Sequence, residues 1–565
     1  MKKVLKSSLA VLCAAAMLAG CGQQNAVKES GSTPVTSESE VTQVTEKKVF
    51  EGATVIDLFD TGITVDGAAI STDAESAVYA ANDIVFYLEG QGFTYGEGEK
   101  EDEHSQAEAD AHTVVHITKP GTYALSGKLS AGQIAVDLGE DAEEDPEAVV
   151  TLILNGVDIT CTVAPGVIFY NVYECGSDDA ETAVKDVDTT AAGANVIIAD
   201  DTVNNVTGSY VARIYKSYEL NAAGTEVVDS KKLHKYDAAF YSKKSMNMNG
   251  DTLGTGVLNI TAENEGLDSE LHLTINGGNI NIVSGNDGIN TNEDEVSVTT
   301  VNGGVLNIKV SGETGEGDGI DSNGWLVING GMVIAQAYGH SMDSGIDSDM
   351  GIYINGGTVI ATGNMLDGIA GSEQNYAVFQ FASSQQGGAA YNMRNANGDV
   401  IFKYTPENAF NYLIISDKSL TAGTYTFWSD NTQLAASTGS AMGGMMGFPG
   451  GFGGGMQIPE GMEIPGFNFE DAKAVDPGMV KPEDLELPEG MEIPEGMQIP
   501  DGAQKPAEGQ TGGFDGGKGQ RPSGDFGGQG GFNMGGFNMG GTGEVSTEFV
   551  IAEGGNYFTN VTAAK

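Results

Sequence analysis

Two short motifs alternate through the middle of this chain, and their spacing restricts its fold more than any other feature. One is acidic: Glu265-Gly266-Leu267-Asp268, Asp287-Gly288-Ile289-Asn290, Asp318-Gly319-Ile320-Asp321, Ser344-Gly345-Ile346-Asp347 and Asp367-Gly368-Ile369-Ala370. The other closes an apolar run: Ile275-Asn276-Gly277-Gly278, Val301-Asn302-Gly303-Gly304, Ile328-Asn329-Gly330-Gly331 and Ile354-Asn355-Gly356-Gly357. Successive acidic motifs lie 22, 31, 26 and 23 residues apart, and the Asn-Gly-Gly motifs 26, 27 and 26. Self-similarity at such a period marks a solenoid, in which each repeat buries its apolar face against the next.

The phase within a repeat selects the kind of solenoid. After each Asn-Gly-Gly comes alternation, with Leu258/Ile260, Ile280/Ile282, Leu306/Ile308, Val333/Ala335 and Val359/Ala361 in one register. Period two is a strand signal. A second alternating run precedes each Asn-Gly-Gly, as in Leu271 to Ile275 and Trp325 to Ile328, so a repeat holds at least two strands. Helical periodicity of useful length is absent, as is the leucine-rich-repeat spacing. The economical reading is all-β: a right-handed parallel β-helix over 49–372, with aliphatic residues stacked inside and glycines at the corners.

Stacking brings like charges together. In-register coils put Asp287 near Asp318 and make a column of Asp268, Asn290, Asp321 and Asp347, about 4.8 Å per step. From Glu263 to Ala370 there are sixteen Asp and Glu against one basic residue, Lys309. Asp-Gly and Asn-Gly taken singly are good turn formers. Their recurrence with so little basic compensation points instead to Ca²⁺, which takes carboxylate, amide and carbonyl oxygens together. The candidate ligands are Asp268, Asp287, Asn290, Asp318, Asp321, Asp343, Asp347 and Asp367.

The chain begins with a basic stretch (Lys2, Lys3, Lys6), a short apolar run and Leu18-Ala19-Gly20-Cys21. This reads as a signal peptide over 1–20. It resembles a bacterial lipobox, which implies lipidation of Cys21 and an extracytoplasmic protein whose membrane contact is that anchor. Residues 21–48 are a polar tether. The net charge of −52 repels phosphate backbones and argues against nucleic acid. Cys161 and Cys175 could form a disulfide or be two small buried hydrophobes. Runs at Ala53 to Leu58, Ile84 to Leu88 and Thr113 to Thr118 read as strands, and His112 and His116 as outward-facing residues without a zinc pattern. A repeat-like segment at Val150 to Thr160 marks the expected start of the solenoid.

Strand-like runs at Tyr376 to Phe381, Val400 to Tyr404, Tyr412 to Ser416 and Thr424 to Trp428 make a small C-terminal β-cap over 373–438. Residues 439–543 are Gly-, Met- and Pro-rich and are expected to be a disordered insertion. The last segment, 544–565, regains strand character and is expected to pair back onto the cap.

Gly121-Thr122-Tyr123-Ala124-Leu125-Ser126-Gly127, Leu154-Asn155-Gly156-Val157-Asp158-Ile159, Asp237-Ala238-Ala239-Phe240-Tyr241-Ser242-Lys243 and the repeated motifs occur in this order. Over residues 115–372 the chain resembles the clostridial cell-surface polysaccharide-binding β-helix family. The resemblance implies a calcium-bearing right-handed parallel β-helix, related in shape to pectate lyases, that binds plant-type or acidic polysaccharide without established catalysis. The long segment from Gly176 to Lys235, and Ser344 and Ala370 in place of acids, depart from that pattern.

Pyranose faces stack on aromatic rings beside hydrogen-bonding groups. Register makes His272, Trp325, Tyr353, Asn281 and Asn307 the candidate glycan contacts. A lyase would need a Lys or Arg base beside the metal, and the repeats offer only Lys309. The expected protein is a monomeric, non-catalytic, calcium-binding polysaccharide-binding lipoprotein. A calcium-dependent pectate-lyase-like enzyme and a structural or adhesive surface protein are the alternatives.

Overall fold

Leu258, Ile280, Leu306, Val333 and Val359 stand opposite one another on successive parallel strands, and all five are buried. The computed structural model describes residues 50–439 and 544–565. The leader with Cys21, the tether, and all but the first residue of the low-complexity segment lie outside the described residues.

The described residues are almost entirely β, with one four-residue α-helix, Gln106–Ala109, and a 3₁₀ turn, Glu140–Glu144. Three ladders run through the repeats. The first links Val203–Gly208, Val257–Ala262, Asn279–Ser284, Val305–Val310, Met332–Gln336 and Thr358–Gly363 in parallel. The second links Ala194–Ile198, Met246–Gly250, Leu273–Ile275, Val298–Val301, Trp325–Ile328 and Gly351–Ile354. The third links Val167–Asn171, Ala238–Ser242, Glu265–Ser269, Ile289–Thr291 and Ile320–Ser322. Alternate residues of all three meet in one apolar core that includes Leu267, Ile289 and Ile320.

The third ladder was not read from the sequence, where its residues pass for a tight acidic turn. Their Asp-Gly-Ile signature is a short strand whose isoleucine enters the core. Parallel pairing also starts earlier than Val150: Thr54–Leu58 pairs with Gly121–Leu129, and Thr113–Ile117 with Gly132–Asp137. Ile84 to Leu88 forms no strand; Ile84 and Tyr87 are buried as anchors of a second apolar cluster instead.

The Asn-Gly-Gly corner has a division of labour. The second glycine is in the left-handed region in every copy, with φ of 90°, 82°, 77° and 81° at Gly278, Gly304, Gly331 and Gly357. The first leaves no room for a side chain: a Cβ on Gly303, Gly330 or Gly356 would lie 2.8, 2.5 and 2.5 Å from the preceding repeat's Asn carbonyl oxygen. The asparagines form an amide ladder. Asn276 donates to Asn249 at 3.0 Å, Asn302 to Asn276 at 2.9 Å, Asn329 to Asn302 at 2.9 Å and Asn355 to Asn329 at 2.8 Å.

The C-terminal end of the first ladder is covered by Phe410–Ser416, which pairs antiparallel to Thr358–Gly363. Tyr376–Gln385, Gly423–Ser429 and Thr432–Thr438 surround an aromatic core of Phe379, Phe427, Phe549 and Phe558. Phe549–Ile551 pairs with Gly423–Ser429, and Gly555–Ala563 with Tyr376–Gln385 and Thr432–Thr438. The segment Gly176 to Lys235 contributes ladder strands and an antiparallel hairpin, Val211–Leu220 with Val227–Tyr236. Cys161 and Cys175 are free thiols.

Candidate functional site

The acidic strands of the third ladder carry their charges into the protein. Tyr241, Asp268, Asn290 and Asp321 face one another in register. Asp268 is fully buried, Glu265 is 5% exposed and Asn290 8% exposed. Asp237, one residue before the strand Ala238–Ser242, completes a set of three carboxylates whose oxygens lie within 4.8 Å of one another with Glu265 and Asp268.

Side-chain amides hold this cluster. Asn292 donates to both oxygens of Asp268, at 2.8 and 3.0 Å, and Asn290 donates to Glu265 Oε1 at 3.2 Å. Lys235 Nζ lies 2.5 Å from Asp237 Oδ2. Burial pushes the Glu265 carboxyl up to about 8, with the Asp237 carboxylate adding to it. Burial, then Glu265, hold Asp268 well above the usual carboxylate range. Burial alone would lower the Lys235 ammonium, but Asp237 and Glu265 outweigh it and hold it above its ordinary range.

Glu265 Oε2 and Asn290 Oδ1 are buried without a hydrogen-bond partner. Orphaned buried oxygens are uncommon and costly. The donors here are all oxygens, three of them on carboxylates against one lysine. That set fits a hard divalent cation, with Asp237, Glu265, Asp268 and Asn290 as the residues that would hold it.

A second acidic line follows. The Asp318 N–H donates to Asp287 Oδ1 at 2.6 Å, the Ser344 N–H to Asp318 Oδ1 at 2.5 Å and the Gly317 N–H to Asp343 Oδ2 at 2.6 Å. Burial raises Asp287 and Asp318 well above the usual range, with Asp321 next for the first and Asp287 for the second. Asp367 accepts from the Ser348 N–H at 3.1 Å and is raised by burial. Asp347 stands in no strand; its N–H donates to the Ile320 carbonyl at 2.7 Å.

Three of these residues were not candidates in the sequence. Asp237 precedes its strand, Glu265 is the first residue of its own, and Lys235 lies on the hairpin, so motif spacing alone does not align them. The available signal was the acid opening both Asp237-Ala238-Ala239-Phe240 and Glu265-Gly266-Leu267-Asp268, whose strands pair Ala238 with Glu265.

The glycan-contact candidates are more dispersed. His272 is 2% exposed and does not face outward; its Nδ1 accepts from the Val298 N–H at 3.1 Å. His112 is likewise buried, accepting at Nε2 from the Thr162 N–H at 3.2 Å. Trp325 and Tyr353 are half-buried on adjacent strands, Trp325 opposite Gly351 and Tyr353 opposite Val327. Asn307 is exposed, whereas Asn281 is half-buried and donates to Asn259 at 3.0 Å. The reason is the segment before Ala194. The Thr189 hydroxyl donates to Asn247 Oδ1 at 2.8 Å and shares a hydrogen bond with the Thr274 hydroxyl at 2.7 Å, and Lys185 lies 5.1 Å over the Tyr353 ring, so this stretch crosses the second ladder's outer face. Lys309 pairs with Glu407 at 2.5 Å.

A family model described as carbohydrate-binding domain-containing protein matches residues 111–411. No curated protein matches the chain. Among solved structures, a polysaccharide lyase-like protein from C. thermocellum, determined as a gadolinium derivative, is 18% identical, with a TM-score of 0.30, and the match covers 57% of this chain and 93% of that one.

Proposed function

This chain belongs to the carbohydrate-binding domain-containing protein family, and from that premise we propose that it is a calcium-binding, non-catalytic polysaccharide-binding lipoprotein of the cell surface. The three ladders are the faces of a right-handed parallel β-helix, anchored through lipid on Cys21 and acting as a monomer. Calcium is held among Asp237, Glu265, Asp268 and Asn290, with further ions along Asp287, Asp318, Asp321, Asp343, Asp347 and Asp367. The ion supplies the positive charge that these buried carboxylates lack and fixes neighbouring coils. Trp325, Tyr353 and Asn307 contribute to the glycan face.

The observation that carries this reading is the family match over 111–411, a span that contains every carboxylate of the buried cluster. Calorimetric titration with cellulose oligomers and with oligogalacturonate, in calcium and after chelation, tests it while absorbance of unsaturated uronate is followed. Saturable binding that chelation weakens, without new absorbance, supports it. Product formation would make the chain a lyase, and no heat with either glycan would favour the structural or adhesive alternative.

A further inference from the structure

The C-terminal cap carries a tryptophan on an open sheet face. Tyr391–Arg394 lies between Val400–Tyr404 and Gly423–Ser429, antiparallel to both. Tyr391, Met393 and Phe427 are buried in the aromatic core. Strand alternation therefore turns Asn392, Arg394, Thr426 and Trp428 to the opposite face. In register, Lys403, Asn392 and Trp428 form one row across three strands, and Arg394 stands opposite Thr426 in the next. Trp428 and Arg394 are half-buried, and Lys403 is exposed.

The guanidinium of Arg394 is held from two sides. Its Nε donates to Asn392 Oδ1 at 2.8 Å, and its carbon lies 4.7 Å from the centre of the Trp428 ring. The indole is fixed in turn by its Nε1, which donates to the Thr426 hydroxyl at 2.9 Å. Among the described residues, the two terminal nitrogens of Arg394 and the Lys403 ammonium have no hydrogen bond or ion pair. The flanking acids are engaged elsewhere or stand apart. Asp399 accepts from Asn395 Nδ2 at 3.2 Å, Asp430 from the Ala390 N–H at 3.0 Å, and Glu407 pairs with Lys309. Glu548 precedes the strand on the side of Gly423–Ser429 away from Arg394.

A guanidinium already fixed in place offers its free fork to a carboxylate in two parallel hydrogen bonds and loses little freedom on binding. The indole beside it offers apolar surface to a pyranose ring. In a chain of 79 acidic and 27 basic residues, two unpaired cations on one face select an anion. We infer that the outer face of the cap sheet is a binding site for a carboxylate-bearing sugar residue. Arg394 receives the carboxylate, Trp428 lies against the ring and Lys403 adds charge. This rests on the polysaccharide-binding reading and gives it a second surface besides that of Trp325 and Tyr353. The family match ends at residue 411, so Trp428 lies beyond it.

Trp325 and Trp428 are the two tryptophans of the chain, so Trp325→Phe leaves Trp428 as the sole indole reporter. Oligogalacturonate added to this variant should change its tryptophan emission saturably. The fully methyl-esterified form keeps the ring and removes the charge, and should bind about tenfold more weakly by the same signal. Arg394→Gln in the same background should abolish that preference. Trp428 emission that stays constant while the parent gives heat with oligogalacturonate overturns the site and leaves polysaccharide binding intact, as does a preference that survives Arg394→Gln. If neither oligogalacturonate nor cellulose oligomers give heat with the parent, the underlying reading fails with it.

Discussion

The main-chain N–H of Asp318 donates to Asp287 Oδ1 at 2.6 Å. Asp318 receives the N–H of Ser344 in the same way one repeat later, at 2.5 Å. Each carboxylate therefore caps a backbone amide of the next repeat. The turn-forming and ion-binding readings of these acids are compatible, because the bond that fixes the turn also holds the carboxylate inside, where its charge needs compensation.

Stability should depend on pH in the direction set by raised carboxyl pKa values. An unfolded glutamate titrates near ~4.3, whereas Glu265 is pushed up to about 8, and Asp268, Asp287 and Asp318 also rise. Between these values the folded chain holds more protons than the unfolded one, so stability is full at low pH and falls as pH rises. After chelation the chain should melt several degrees lower at pH 8 than at pH 5. Calcium should restore the loss at pH 8 and do little at pH 5. A chelated melting temperature that is flat or rises over this interval contradicts the account.

The asparagine ladder gives a second test. Asn302 donates to Asn276 and accepts from Asn329, so Asn302→Ala removes both bonds at an exposed corner. The expected cost is roughly 1–2 kcal/mol in chemical denaturation, with calcium binding unaltered. A change within error would mean that solvent replaces the ladder without loss.

The core column is less forgiving than the outer face. Leu306 is 1% exposed between Ile280 and Val333, and Leu306→Ala should cost roughly 2–5 kcal/mol. Val283, 43% exposed on the neighbouring strand, should tolerate alanine within about 0.5 kcal/mol. Denaturant midpoints compare the two, and equal effects would contradict the inward register.

How much of this was legible follows from the same residues. Leu258 through Val359 alternate cleanly because one face of each strand is apolar, and their register followed from counting. Asp-Gly-Ile did not read as a strand, since three residues carry no visible period. The burial of Asp268 was also hidden: Asn292, on another repeat, donates to both of its oxygens. His272 and Trp325 occupy equivalent repeat positions, yet the unrepeated segment around Thr189 packs beside one and leaves the other half-open.

That segment supplies a further expectation. Thr189→Val removes the bonds to Asn247 and Thr274 and should loosen the cover near Tyr353. Glycan affinity should rise a few-fold, and Tyr353→Ala should lower it. Unchanged affinity in both variants would place the glycan on another face.

The most direct measurement of the central claim is calorimetric titration of calcium into the chelated chain at pH 8, beside its Asp268→Asn variant. Glu265 Oε2 and Asn290 Oδ1 stand without partners next to Asp268, so the parent should bind calcium saturably. The variant should lose at least one site while its far-ultraviolet circular dichroism stays that of the parent. No calcium heat in the parent, or an isotherm that Asp268→Asn leaves unchanged, would contradict the assignment of the buried carboxylates as a metal centre.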